Sequence, residues 1–298
     1  MSKLKEFAVR KPKLTSALLW FLSAIITIAC FMYQDKTGPT YPLEGTLDTE
    51  VGEVSFKFLR SETIGTDLKI MLLDPVPEGV SGYVQYRRYK SNDDWAEMPM
   101  AAGKFEFTRR GRSESIEGFG AELPFLPERA GKYEFFVHID DGSGEVISVT
   151  GDKPIYARYK AAVPMTVLFF HILAIFVSMT IAIRTTFAAL IEEKIKGLIK
   201  ATIISLIFGA FILGPLVQWY AFGVWWSGIP FGYDWTDNKV VVEMAFWLWA
   251  AYANRGELEN RKSVLLAGFV TLLVYFIPHS IFGSEFDYRT GTGHGTAG

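Results

Sequence analysis

Apolar residues in this chain concentrate in runs at 14–33, 163–183, 201–220, 240–253 and 263–282, the second interrupted by His171. Between the first two runs, apolar and polar residues alternate instead. About 20 apolar residues in a helix cross roughly 30 Å of hydrocarbon, so the long runs predict transmembrane helices. The alternating stretch predicts half-buried strands of a soluble domain.

The first run follows a basic segment, residues 1–13, that holds Lys3, Lys5, Arg10, Lys11 and Lys13. A cleaved signal peptide begins the same way. The segment Thr27-Ile28-Ala29-Cys30 also resembles a lipoprotein processing site, with threonine where that site takes an aliphatic residue. Both readings deliver the chain after Gln34 to the far side of the membrane.

Residues 35–160 are punctuated by turn signals such as Asp74-Pro75, Ser91-Asn92-Asp93-Asp94 and Asp140-Asp141-Gly142. Strands are expected at 54–59, 68–73, 82–89, 95–99, 104–108, 115–123, 132–140 and 145–150. Short strands at this spacing, with no helix-period run between them, favour an antiparallel β-sandwich. The phrase Ala130-Gly131-Lys132-Tyr133-Glu134-Phe135-Phe136-Val137 resembles a late strand of immunoglobulin-like or fibronectin type III modules, where a tyrosine after a tight turn ties the corner. The resemblance spans one strand and implies a fold class without a function. His138, on the same strand, has no second ligand in register and reads as a surface residue. The basic clusters Arg87-Arg88-Lys90 and Arg109-Arg110-Arg112 read as part of a mixed, solvated face.

After the second run, residues 184–200 alternate apolar and charged positions, the pattern of an amphipathic helix that is either a cytoplasmic extension of the span or lies on the inner surface. In the third run, Gly214-Pro215 predicts a kink. The segment 221–239 is an aromatic and glycine-rich loop, and Tyr220, Trp225, Trp226, Tyr233 and Trp235 suit the headgroup belt of a bilayer. The fourth run is short for a straight crossing, and residues 283–298 are glycine-rich enough to predict a flexible outer tail that includes His294.

Charge orients these elements. The short segments assigned to the inner side carry Lys3, Lys5, Arg10, Lys11, Lys13, Arg184, Lys194, Lys196, Lys200, Arg255, Arg261 and Lys262, against Lys239 and Arg289 on the outer side. The positive-inside rule then places the N-terminus in the cytoplasm and the sandwich, the aromatic loop and the C-terminus outside. The expected fold class is an α-helical transmembrane bundle of about five spans with one extracytoplasmic antiparallel β-sandwich, in a bacterial inner membrane. A net charge of -2 and the absence of a basic stripe with interleaved aromatics argue against nucleic acid as a partner. The single cysteine, Cys30, excludes an internal disulfide and any CxxC pair.

Ionisable residues within spans are costly, so they mark candidate sites. With this topology, His171 and His279 lie roughly 12 Å and 6 Å below the outer surface, and Glu243 lies one turn into the fourth helix. Asp234, Asp237, Asn238 and Lys239 form a polar lip at the same level. Three uses are open. His171 and His279 are the residue type for axial ligands of a haem b or a transition metal, with Glu243 as a further ligand and the aromatics suited to a quinone. The cluster could line an ion or proton path. Or it is structural, with Glu243 paired to Lys239 four residues earlier. No catalytic triad, carboxylate pair, metal-spaced motif or nucleotide loop is present in the sequence. The expected function is therefore that of a membrane accessory or binding protein rather than an enzyme, with the bilayer and a protein partner or oligomer as its associates.

Overall fold

The computed structural model describes residues 3–50, 52–109, 112–140 and 144–296. Arg110 and the Asp141-Gly142 pair lie outside the described residues, as do the side chains of Arg109, Arg112 and His294. Two compact units emerge, a helical one of Met1–Pro39 with Val163–Gly283 and a β unit of Thr40–Ala162 with Ser284–Ala297.

The helical unit contains α1 (Lys3–Arg10), α2 (Pro12–Thr37), α3 (Met165–Leu190), α4 (Lys196–Leu206), a π-helical stretch (Ile207–Leu213), α5 (Gly214–Phe222), α6 (Trp235–Ala253) and α7 (Arg261–Phe276). Three helical segments are long and apolar enough to cross a membrane: α2, α3 and the continuous Lys196–Phe222. At 1.5 Å per residue, α6 and α7 extend only about 28 and 24 Å.

Several helix ends differ from the apolar runs for local reasons. Helix α6 begins at Trp235 because Asp234 caps it, accepting the Thr236 N–H at 2.7 Å. Helix α7 stops at Phe276 because Ile277 precedes Pro278 and is driven to an extended conformation (φ -78°, ψ 116°). The π stretch stands just ahead of Gly214-Pro215, where the proline cannot donate into the helix and the Gly214 N–H reaches back to Gly209 O.

The amphipathic helix expected over 184–200 is not continuous: α3 extends the second span to Leu190, and the chain then turns before α4. Arg184 is buried inside α3, paired with Glu193 from the following turn, and Arg261 of α7 donates to Glu193 O at 2.9 Å and Ala188 O at 3.3 Å. These bonds hold a tight turn in which α3 runs on to Leu190 and α4 starts at Lys196. Trp247 is fully buried among Ala182, Ala250, Ala267 and Val264. On α7, a Cβ at Gly268 would lie 1.8 Å from Thr186 Oγ1, so only glycine permits this approach of α3 and α7.

The β unit contains β1 (Leu43–Thr49), β2 (Gly52–Phe58), β3 (Ser61–Thr63), β4 (Leu68–Leu73), β5 (Ser81–Arg88), β6 (Ala96–Pro99), β7 (Ala101–Arg109), β8 (Arg112–Leu123), β9 (Lys132–Asp140), β10 (Val146–Ser148), β11 (Ile155–Lys160), β12 (Ser284–Asp287) and β13 (Thr292–Thr296). One sheet runs β1-β2-β4-β8-β7, a second runs β3-β11-β9-β5-β6 with β10 on β9, and β12 pairs with β13. Pairing is antiparallel except between β3 and β11. Alternate residues of both larger sheets meet in one core: Val54, Ile70, Leu72 and Leu123 from the first, Val84, Phe135, Val137 and Ile139 from the second. Tyr133 donates its hydroxyl to Pro124 O at 3.0 Å, and burial pushes that hydroxyl's pKa up to about 12. His138 stacks on Tyr83 at 4.9 Å, a cross-strand contact.

Residues 284–296, expected as a flexible tail, form a hairpin that belongs to this unit. Phe286 N–H donates to Ala130 O at 3.0 Å, Arg289 N–H to Lys90 O at 3.1 Å, and the buried Glu285 carboxylate meets both Lys90 and Lys132. Glycine-rich composition hid the hairpin because its order comes from these long-range partners.

Candidate functional site

The loop between α5 and α6 is organised by two side chains of α6. Asp237 accepts the backbone N–H groups of Ser227 at 2.7 Å and Gly228 at 3.0 Å, and both of its oxygens take Gln218 Nε2 at 2.9 Å. Asn238 Oδ1 accepts Ile229 N–H at 2.8 Å. A Cβ on Gly228 would stand 2.7 Å from Asn238 Oδ1 and 2.7 Å from Asp237 Cβ, so the chain passes this close only as glycine. Ser227 Oγ bridges the remaining acid, lying 3.2 Å from Asp234 Oδ2.

Behind this loop the helical unit holds a partly open cavity of about 140 Å³. His171, Asp234, Asp237, Lys239, Glu243 and His279 all line it, with Gln34, Gln218 and Tyr275. Six of the seven candidate polar residues thus converge on one space. Asn238 is the exception and serves the loop. Of the aromatics, Tyr220, Trp225, Tyr233 and Trp235 are exposed, whereas Trp226 is half-buried, stacked on Phe211 and bonded through Nε1 to Ile229 O at 3.2 Å.

His171, Lys239 and Glu243 each have defined partners. His171 Nδ1 lies 3.1 Å from Gly209 O. A carbonyl can only accept, so Nδ1 carries a proton, and in the neutral ring Nε2 is the acceptor. Lys239 Nζ donates to Ile277 O at 3.0 Å and stands over the Tyr275 ring at 6.0 Å. It turns to the end of α7 rather than to Glu243. Glu243, 2% exposed, takes the Thr271 hydroxyl on Oε1 at 2.9 Å, and Thr271 Oγ1 takes Trp247 Nε1–H at 2.9 Å. The indole can only donate to Thr271, and the Thr271 hydroxyl, which keeps its own proton to give, passes it on to the Glu243 carboxylate. Glu243 Oε2 and Gln218 Oε1 are buried with no hydrogen-bond partner among the described residues.

Gln34, Gln218, Thr271 and Trp247 join the candidate residues only in the folded structure. The two glutamines had a signal, an amide within or beside an apolar run. Thr271 and Trp247 had none, since a threonine and a tryptophan in an apolar helix are unremarkable until a carboxylate is seen beside them.

Among the described residues no group of three or more His, Cys, Asp or Glu side chains is arranged to hold a metal ion. The cavity is close in size to one that admits benzene. Comparison with family models, curated proteins and solved structures finds no match to this chain.

Proposed function

We propose that this chain is a polytopic inner-membrane binding protein that holds a small ligand in the cavity of its helical bundle and presents a β-sandwich and an aromatic loop on the outer side. The observation that carries the reading is the convergence of Asp234, Asp237, Glu243, Lys239, His171 and His279 on one cavity of about 140 Å³, two of whose lining residues, Gln218 and Glu243, each have a buried oxygen with no hydrogen-bond partner among the described residues. Buried polar groups are normally satisfied, and the exceptions concentrate at functional sites.

Five spans with an immunoglobulin-like sandwich remain the preferred arrangement. The hairpin 284–296 belongs to the same unit as 40–162, so the helices between them cross an even number of times. Helix α3 and Lys196–Phe222 supply two crossings; α6 and α7 then cross together or not at all. Buried Asp237, Lys239, Glu243, Ser263 and Thr271 on α6 and α7 favour crossing, because their polar faces turn inward while Val241, Val242, Leu248, Leu266, Phe269 and Leu273 are exposed. The excess of lysine and arginine in the inner segments supports a cytoplasmic N-terminus. The Tyr133 corner bond supports the immunoglobulin-like reading of the sandwich. A bilayer is one associate, and the exposed aromatic loop fits a protein partner or a second copy as another.

The test is a thermal-shift screen of the purified protein in nanodiscs against small molecules sorted by charge. One class should raise the melting temperature of the wild type and leave Val217→Phe, which fills the cavity, unmoved. If no class shifts the wild type, or if Val217→Phe responds equally, the cavity is not a ligand site.

A further inference from the structure

At the end of the helical unit where α2 begins, charged side chains are used in two different ways. Those of the α3–α4 and α6–α7 turns are engaged within the chain. Arg184 pairs with Glu193 and donates to Ser16 Oγ of α2 at 3.4 Å, Arg261 pairs with Glu259 and donates to the carbonyls of Ala188 and Glu193, and Lys196 Nζ donates to Gly256 O. Around α1 the opposite holds. Arg10, Lys11 and Lys13 are exposed and form no ion pair among the described residues. With Lys3 and Lys5 they set five basic residues against one acid, Glu6, just ahead of the apolar run of α2.

The chain also bends here. Pro12 has no N–H to give to Ala8 O, and Lys11 leaves the helical region (φ -135°, ψ 63°), so α1 is not a straight extension of α2. The bend is braced on both sides: Lys11 N–H donates to Phe7 O at 2.9 Å, and Lys11 O accepts the N–H and the hydroxyl of Thr15, each at 3.0 Å. Along α1, Leu4, Phe7 and Ala8 recur at the spacing of one helix face, and Lys3, Glu6 and Arg10 at that of another. Phe7 is 39% exposed, an aromatic ring with little of the protein over it.

A helix with an apolar stripe and a basic side suits the plane of a bilayer surface, its stripe at the acyl boundary and its cations among the headgroups. A cluster of roughly four to eight lysines and arginines beside a span is drawn to anionic lipid, each residue adding to the attraction. We infer that α1 and the bend after it form an interfacial anchor that binds anionic phospholipid headgroups through its basic residues, with Phe7 at the acyl boundary. The positive-inside rule concerns the direction in which a chain inserts; this anchor is a lasting contact with lipid of one charge. It rests on α2 spanning the bilayer and is independent of the cavity.

The experiment places a spin label at Ala8→Cys in the full chain carrying Cys30→Ala. Its depth is read from collisions with oxygen and with a water-soluble nickel chelate, in nanodiscs of phosphatidylcholine alone and in nanodiscs that also contain phosphatidylglycerol. The label should sit deeper in the phosphatidylglycerol discs. Sodium chloride at about 1 M, where the Debye length is about 3 Å, should return it to the depth found in phosphatidylcholine. Replacing Arg10, Lys11 and Lys13 together by glutamine should remove most of the difference between the two lipids. Equal depth in both lipids overturns the selectivity for anionic headgroups, and a difference that survives salt or the triple replacement overturns the role of the basic residues. A label that stays in water in both lipids overturns the anchor altogether and leaves the cations to an acidic protein partner. If the triple variant does not accumulate as folded protein, reversal by salt in the chain with its basic residues intact decides.

Discussion

Two glutamates, one in each unit, are buried to nearly the same extent and are treated in opposite ways. Glu285 of the β unit is 1% exposed and meets two lysines, Lys90 and Lys132, the latter at 2.7 Å. Glu243 of the helical unit is 2% exposed and meets one hydroxyl, with its second oxygen unmet among the described residues. A buried carboxylate with both oxygens neutralised is a fastener, because removing it strands the opposing charges. A carboxylate held on one oxygen and left open on the other is positioned for something else. Burial alone does not separate them; partner count does.

The largest test of this contrast removes the fastener. A β unit of residues 40–162 without the hairpin 284–297 leaves Lys90 and Lys132 without their carboxylate, and burial already holds the Lys132 ammonium below the ordinary lysine range. Urea unfolding should show a loss of about 3–5 kcal/mol relative to the same fragment rejoined to 284–297 by a flexible linker. Equal stability of the two would mean that the hairpin decorates the sheets rather than completing them.

A sharper form uses one substitution at both sites. Glu285→Gln should cost about 2 kcal/mol, since a neutral amide cannot balance two lysines. Glu243→Gln keeps an oxygen for Thr271 and removes a buried charge lacking a second partner, so its cost should be near zero or slightly negative. Thermal melts of the two full-length variants in the same nanodiscs should therefore move differently. A large loss from Glu243→Gln would show that this carboxylate too is structural.

The smallest effect lies at the surface. Arg88 binds Asp93 through Nε and Nη2 at 2.7 and 2.8 Å, and this bond lowers the Asp93 pKa below the usual carboxylate value. A depressed carboxylate contributes stability that is present above its unfolded pKa, near 3.9, and lost as pH falls through the lower folded value. Both side chains are partly exposed, so the contribution should stay below about 1 kcal/mol. Melting of Asp93→Asn should differ from wild type at pH 6 and converge with it toward pH 2. A difference that persists in acid would mean that the substitution acts through the Ser91 turn instead.

The sequence by itself determined what periodicity and charge can determine. Long apolar runs marked α2, α3 and Lys196–Phe222, and alternation marked β2 and the strands from β4 to β10 but not β1, β3 or β11, since solvent selects the pattern of each face locally. It also isolated six of the residues that line the cavity, because a charge or imidazole near an apolar run is conspicuous wherever it points. Only tertiary structure decided which of those residues share a space, that Lys239 turns to Ile277 instead of Glu243, and that Gln218 and Thr271 fix the geometry around two carboxylates. The hairpin 284–296 was beyond reach for the same reason. Its glycines and threonines carry no period, and what orders them is a pair of lysines more than a hundred residues earlier in the chain.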